Sequence, residues 1–357
     1  MMHLAMEARI ITRREEMNVG SEEWNLLLSG SETNTIFQTY EWVWTWWSVF
    51  GPMHSLFLVE VRDRDRLIAL APLMLDSSGR KRSLRFIGEE NSDYCDFIAG
   101  ERKQEALIAI FEAIVSWKNW DVIQLKNMPE SSTTVAAVRK FCGQFGKRFI
   151  ETNGISCPTL IIMGHEDHAR RVSSKKTIRR RHNYLMKTGY MNIFHLKSVE
   201  EAIRYFDLFV GQHIRRWSGT ASPSLFLKPG NRDFYLDLIK ALLPRSLLLF
   251  TVLEYEGRPL AFHFGFDYGS KVIWYKPSYD PDYRRLSPGT VLLKHLIEYG
   301  LEKGRQELDF TIGDEPFKRR FANCIRKNGH IRVHNSQAGY YQEKAFQKLK
   351  YFRNLLS

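Results

Sequence analysis

The chain has 357 residues, 44% of them hydrophobic, 13% aromatic and 26% charged, which supplies a buried core and excludes a disordered or metal-stapled scaffold. Its 52 Lys and Arg against 40 Asp and Glu leave a net charge of +12, which favours anionic partners such as phosphorylated cofactors, nucleic acid or an acidic membrane surface. Four scattered cysteines, Cys95, Cys142, Cys157 and Cys324, form no C-x-x-C pair, so neither a disulfide framework nor a zinc site is suggested.

The N-terminal stretch MMHLAMEARIITRREEMN has acids close behind a short apolar segment. No later run reaches the roughly 18 uncharged apolar residues of a membrane span, so a cytoplasmic protein without a membrane span is expected. A first helical pattern opens with Trp24, Leu26, Leu27 and Leu28, and a second runs from Ile36 to Phe50 and stops at Gly51-Pro52. Tyr40, Trp42, Trp44, Trp46 and Trp47 crowd this second run. Such aromatics belong to a core or, with their polar tips, to a substrate cleft; Gln38 and Trp42 are the cleft candidates.

Two apolar runs, Leu56–Val61 and Leu67–Leu75, flank the charged turn Arg62-Asp63-Arg64-Asp65-Arg66 and read as a hairpin. A constant offset of 192 places Asp65 on Gly257, Arg66 on Arg258, Ile68 on Leu260 and Ala69 on Ala261, where a second hairpin is expected. Each hairpin is followed by a helix and a strand: 102–118 then 121–125, and 289–303 then 307–310. The repeated order predicts an internal duplication into two α/β domains. The boundaries read as 1–165 for the first domain, 166–190 for a basic linker helix, 191–335 for the second domain and 336–357 for a helical tail. Whether that tail packs back on the first domain is left open. Within the linker, Lys175, Lys176, Arg179, Arg180, Arg181 and Lys187 surround a few apolar positions, as in a solvated helix or a phosphate-contacting surface.

Common catalytic signatures are missing: the chain has no G-x-S-x-G, no G-x-x-x-x-G-K-[ST] and no H-E-x-x-H. His165 and His168 lack a third ligand in reach along the sequence, so no metal is expected. What remains lies in residues 274–323. The segment Arg284-Arg285-Leu286-Ser287-Pro288-Gly289 opens a helix, whose free N–H groups and positive dipole end would face an anion; Pro and Gly there are also ordinary punctuation. Further on, ELDFTIGDEPFKRRFAN presents Lys318 at a strand-end turn between Phe317 and Phe321, either as a charge for a developing oxyanion or as part of a surface basic cluster.

The ordered set FQTYEW, LIALAPLML, FIGEENSDYCDF, RRRHNYLMKTG, EGRPLAFHF, YDPDYRRLSPGTVLL and GDEPFKRRF resembles the CelD-type acetyltransferases of the GNAT superfamily, related to the FemAB peptidyltransferases. The resemblance spans about residues 24–325. It implies a mixed α/β (α+β) chain of tandem GNAT-like domains, each a mixed twisted sheet flanked by helices. The implied activity is acyl transfer from acyl-CoA, with acetyl-CoA as the expected form, to an amine of an amino sugar or peptide in envelope or exopolysaccharide metabolism. The resemblance assigns Arg284, Arg285, Ser287, Gly289 and Thr290 to the CoA pyrophosphate, Ser287 standing where the family pattern has its first glycine. It sets Phe317 and Lys318 beside the reacting carbonyl.

With no enzyme nucleophile needed, Lys318 is the oxyanion candidate, and His263 and Asp309 are the candidate proton acceptors, a strand histidine being otherwise a satisfied core residue and a strand-end aspartate a turn cap. Gln38, Trp42, Asp93, Tyr94, Tyr275, Tyr279 and Phe317 are the candidate substrate contacts. The rival readings are an aminoacyl-tRNA-dependent peptidyltransferase and a non-catalytic protein binding a polyanion or a membrane surface. The net charge and the basic helix favour the tRNA reading.

Overall fold

The computed structural model describes residues 6–152 and 154–355. In chain order, β1 (Glu7–Ile11), α1 (Ser21–Ser29) and α2 (Tyr40–Phe50) precede a hairpin of β2 (Ser55–Asp63) and β3 (Arg66–Asp76). Next come β4 (Ser83–Phe86), β5 (Ile98–Ala99), α3 (Lys103–Trp117), β6 (Val122–Pro129), α4 (Thr134–Gln144) and β7 (Arg148–Thr152). β8 (Ser156–Ile161), α5 (Glu166–Ser173), α6 (Lys176–Thr188), β9 (Met191–His195), α7 (Val199–Trp217) and α8 (Asn231–Leu242) follow. A second hairpin, β10 (Leu248–Tyr255) and β11 (Arg258–Tyr268), leads to β12 (Lys271–Tyr279), α9 (Pro288–Glu302), β13 (Glu307–Asp309) and α10 (Pro316–Arg319). The chain closes with β14 (Cys324–His334) and α11 (Gln337–Leu355).

These elements form two units, one of residues up to Ile155 with those from Lys327 onward, the other Ser156–Arg326. The units divide the chain differently from the sequence boundaries: β8, α5 and α6 belong with the second unit, and the residues from Lys327 onward, α11 included, with the first. The reason is strand pairing. Residues 328–334 of β14 pair antiparallel with β6 and 330–334 with β7, which ties the C-terminal segment into the first sheet.

The first sheet runs β1-β2-β3-β4-β6-β14 and the second β9-β10-β11-β12-β13-β8. In each, three antiparallel pairings lead to one parallel pairing, β4 with β6 and β12 with β13, and the parallel step is bridged by a helix, α3 or α9. The units thus share one topology. The offset found in the sequence extends to backbone detail: the first hairpin breaks register between Val61 and Arg62, the second between Leu253 and Glu254. Arg64 and Glu256, equivalent under that offset, both take left-handed φ, at 56° and 51°.

Each core follows from the two-residue alternation of the strands. In the first unit Leu84, Phe86, Ile123, Leu125, Ile331 and Val333 face the buried sides of α3 and α4. In the second, Val272, Trp274 and Leu308 pack on Leu293, Leu296 and Ile297 of α9. The aromatic run expected as one helix from Ile36 is a short 3-10 turn, Ile36–Gln38, followed by α2, because Thr39 is extended and its side chain accepts the N–H of Trp42 as an N-cap. The linker expected as one helix over 166–190 is likewise broken between α5 and α6, at Ser174 and Lys175.

Candidate active site

Two helices of the second unit begin at one cavity of about 220 Å³. Lys175, Thr177, Ile178 and Arg181 line it from the start of α6, and Ser287 and Thr290 from the start of α9. Arg320 and Phe321, just beyond α10, complete the lining. Lys175 donates from Nζ to the Arg320 carbonyl at 2.8 Å, and its ammonium lies 5.4 Å from the centroid of the Phe321 ring. Arg181 donates to the Arg285 carbonyl at 2.7 Å and to the Ser287 hydroxyl. Three cations and two helix N-termini therefore converge, an arrangement in which a phosphate oxygen finds both charge and donors.

Ser287 caps α9 in a left-handed conformation, φ 49° and ψ 53°, that glycine adopts most readily. Its hydroxyl compensates by anchoring Arg181. Its carbonyl accepts the Thr290 N–H at 2.9 Å, which closes the first turn. A Cβ added at Gly289 would lie 3.5 Å from Cδ1 of Tyr279, an ordinary contact, so space alone does not demand glycine there. Arg284 and Arg285 are exposed, and Arg285 contributes its carbonyl to the cavity's edge.

Tyr279, at the end of β12, lies beside Gly289 at the start of α9 and against Arg216. The Arg216 guanidinium carbon sits 4.5 Å from the centroid of the Tyr279 ring, and Arg216 donates to the Pro277 carbonyl at 2.7 Å. Burial pushes the Arg216 pKa down from its ordinary value, while Tyr279 and then Glu315 act to raise it. Glu315 in turn is 3.1 Å from Nζ of Lys318, which also donates to the Ile312 carbonyl at 2.7 Å. Lys318 is buried. The turn closes tightly: Gly313 has φ 133°, and a Cβ there would come 2.7 Å from Nζ of Lys318. Phe317 packs on the core, edge-on to Phe310 at 6.4 Å.

Other sequence candidates occupy different surroundings. His263 has no exposed surface; Nε2 lies 3.1 Å from the Ile273 carbonyl and the ring stacks on Trp274 at 5.0 Å. Burial drives its pKa down to about 3, so the imidazole is neutral and enclosed, a packing group and not a proton acceptor facing an amine. The break in register beside Gly265, where a Cβ would meet Nε2 of His263 at 2.1 Å, makes room for the ring. Asp309 is buried, and its Oδ1 accepts the N–H of Thr311 at 2.8 Å, which shapes the left-handed turn at that residue.

Tyr275 directs its hydroxyl to that of Tyr235 at 2.8 Å, and Lys276 lies 3.8 Å from the centroid of its ring. Gln38, Trp42, Asp93 and Tyr94 belong to the first unit. Gln38 donates to the Asp96 carbonyl at 3.1 Å, Trp42 to the Ser92 hydroxyl at 2.9 Å, and Asn328 to the Asp93 carbonyl at 2.7 Å. The Tyr94 ring is buried against Phe37. Gln38 and Trp42 therefore hold the core and its loop. Sequence reasoning missed Arg216, whose signal was the Arg215-Arg216-Trp217 end of an amphipathic helix, and Arg181's place inside the cavity. Among the described residues, no group of three or more His, Cys, Asp or Glu is placed to hold a metal ion, and no helix is long and apolar enough to cross a membrane.

Residues 172–319, which include Lys175, Arg181, Ser287 and Lys318 but stop short of Arg320 and Phe321, match the family model described as an acetyltransferase (GNAT) domain. Among solved structures, FemX superposes with a TM-score of 0.66 at 12% identity, over 91% of this chain and 98% of that one. L-PGS from Bacillus licheniformis gives 0.54 at 12% identity, over 91% and 95%. A tandem GNAT protein from the clavulanic acid biosynthesis pathway gives 0.50 at 12% identity, over 91% and 98%. A search of curated proteins finds no match. At these identities the structures speak for the fold, a tandem arrangement of GNAT-like units, and the family match speaks for the chemistry of the second unit. Residues 172–319 match the acetyltransferase (GNAT) domain model, and that match supports an acyltransferase.

Proposed function

We propose that the chain is an N-acyltransferase that moves an acyl group from acyl-CoA, acetyl-CoA being the first candidate, to an amine of an amino sugar or peptide in envelope or exopolysaccharide metabolism. The observation that carries this reading is the cationic cavity at the starts of α6 and α9, whose Lys175, Arg181 and Arg320 suit a pyrophosphate. Acyl-CoA supplies an activated thioester. The lone pair of the neutral amine attacks the thioester carbonyl, a C–N bond forms and the C–S bond breaks. The amine's surplus proton leaves to a base, and the departing thiolate takes up one proton, so the products are an amide and free CoA.

The chain's share of that reaction is to hold the donor's phosphates, orient the amine and stabilise the carbonyl oxygen as it gains charge. Lys318, with Nζ fixed between Glu315 and the Ile312 carbonyl, is the candidate for the last task. Tyr279 and Arg216 would set the wall between donor cavity and lysine turn. A cytoplasmic place of action follows from the use of acyl-CoA.

A second reading, transfer from aminoacyl-tRNA, draws on the outer side of α6, where Lys176, Arg179, Arg180 and Lys187 are exposed and could meet several phosphates. The purified chain offered acetyl-CoA with glucosamine or a lysine-containing peptide should release free thiol only when the amine is present. Transfer of the aminoacyl group from charged tRNA to the amine, with deacylated tRNA released and no thiol freed from acetyl-CoA, would replace the first reading by the second.

A further inference from the structure

The first unit has a chemical feature that the acyl-transfer reading does not use. Its sheet has two unlike faces in the strands β4, β6 and β14. Ser83 pairs with Val122 and Val122 with His334; Arg85 pairs with Gln124 and Gln124 with Arg332. These positions share one face, because the intervening Leu84, Ile123 and Val333 point into the core under α3 and α4. The sheet therefore keeps a polar face where a domain core would ordinarily be apolar, and a cavity of about 360 Å³ opens on it, within the usual size of a small-molecule site.

Inside that cavity His334 is 2% exposed, and neither of its ring nitrogens has a hydrogen-bond partner. Leaving both unpaired costs free energy that a polar occupant would recover. Burial first, and Lys81 next, lower the His334 pKa, so the neutral ring offers one donor and one acceptor, the pairing a hydroxyl group satisfies with a single oxygen. Around it, Arg80, Lys81 and Arg332 face Asp76 and Glu343. Asp76 pairs with Arg85 at 2.8 Å, a guanidinium it shares with Glu89 and Glu90, and Glu343 pairs with Arg332 at 2.6 Å while standing 4.0 Å from Lys81. The balance is an excess of positive charge at the mouth, near the exposed Arg80 and the half-exposed Lys81. Val122 alone among the described lining residues is apolar, so neither an acyl chain nor a stacked base suits the cavity.

We propose that this cavity is a second ligand site, for a small hydroxyl-bearing phosphate ester of the sugar phosphate kind, with the phosphate at Arg80 and Lys81 and a hydroxyl on His334. The site lies wholly in the first unit and is independent of the acyl-donor cavity, so it stands or falls apart from the reading above.

Calorimetric titration of the full chain at constant ionic strength, with inorganic phosphate, glucose and glucose 6-phosphate, tests it. Glucose 6-phosphate should bind about tenfold more tightly than inorganic phosphate, and glucose alone should give no measurable heat. Lys81→Gln and Arg80→Gln, at positions open to solvent, should weaken glucose 6-phosphate by several-fold without lowering the melting temperature. His334→Gln should erase the preference for the sugar ester over inorganic phosphate. Equal binding of glucose and its phosphate, no binding of the ester by the wild type, or unchanged affinity in the Lys81 and Arg80 variants would overturn the proposal.

Discussion

Lys318 is the residue on which the chemistry and the turn meet. Its ammonium is buried and spans Glu315 and the Ile312 carbonyl, so removing it leaves a buried acceptor unpaired at a cost of about 1–3 kcal/mol. If the same ammonium also stabilises the oxyanion, Lys318→Met should lower kcat by about 10²–10³ while KM for the donor changes little. Melting and steady-state kinetics on one preparation separate the two roles. A lower melting temperature with unchanged kcat would leave Lys318 a turn clamp only. The sequence displayed this lysine because a Gly-Asp-Glu-Pro turn after a strand is readable. It left His263 open between a core residue and a proton acceptor. A strand histidine looks the same in sequence whether its neighbour is substrate or the Trp274 ring, and the space under it depends on a register break at Gly265.

At the scale of elements, α6 has two functional sides. Ile178 and Leu185 are buried, Arg181 turns inward to Ser287, and Arg179 and Arg180 are exposed. Composition alone did not tell one of these arginines from another. Their separation follows from the helical period, which sets Arg181 near Ile178 and Leu185 and swings the two preceding arginines away. Arg181→Gln should raise KM for acyl-CoA about tenfold or more, through loss of a charged contact and of the Ser287 anchor. Arg179→Gln with Arg180→Gln should leave that KM unchanged. Donor kinetics on both variants decide the matter, and equal effects would mean that charge, not position, is what the helix supplies. The hairpins β2–β3 and β10–β11 were legible in the sequence because their charged turns interrupt long apolar runs. β7 and β14 were not, since their pairing partners lie far away in the chain and half their positions face polar surroundings.

Over the whole molecule, the duplication was legible and the place where the chain returns to its first unit was not. Local patterns predict hairpins and helices, but only long-range pairing tells that residues after Lys327 join the first sheet. The second unit also encloses histidines: burial drives the pKa of His213 and His263 down to about 3. Both are neutral in the folded state, while the unfolded chain binds protons below an ordinary histidine pKa near 6.5. Stability is therefore complete above that value and falls as the pH drops toward about 3, at roughly 1.4 kcal/mol per pH unit for each ring. Denaturant unfolding of wild type and His213→Asn between pH 7.5 and 5 should give a shallower slope for the variant. Parallel slopes would mean that the ring is protonated in place.

Binding of acetyl-CoA to the full-length chain, followed by calorimetry in wild type and in Arg181→Gln, tests the donor cavity most directly. The account predicts saturable one-to-one binding in the wild type and an affinity about tenfold lower in the variant, the loss of one charge-assisted phosphate contact with its anchor. No heat from acetyl-CoA in the wild type, or equal affinity in the two proteins, would contradict the assignment of the cavity between α6 and α9 to an acyl-CoA donor.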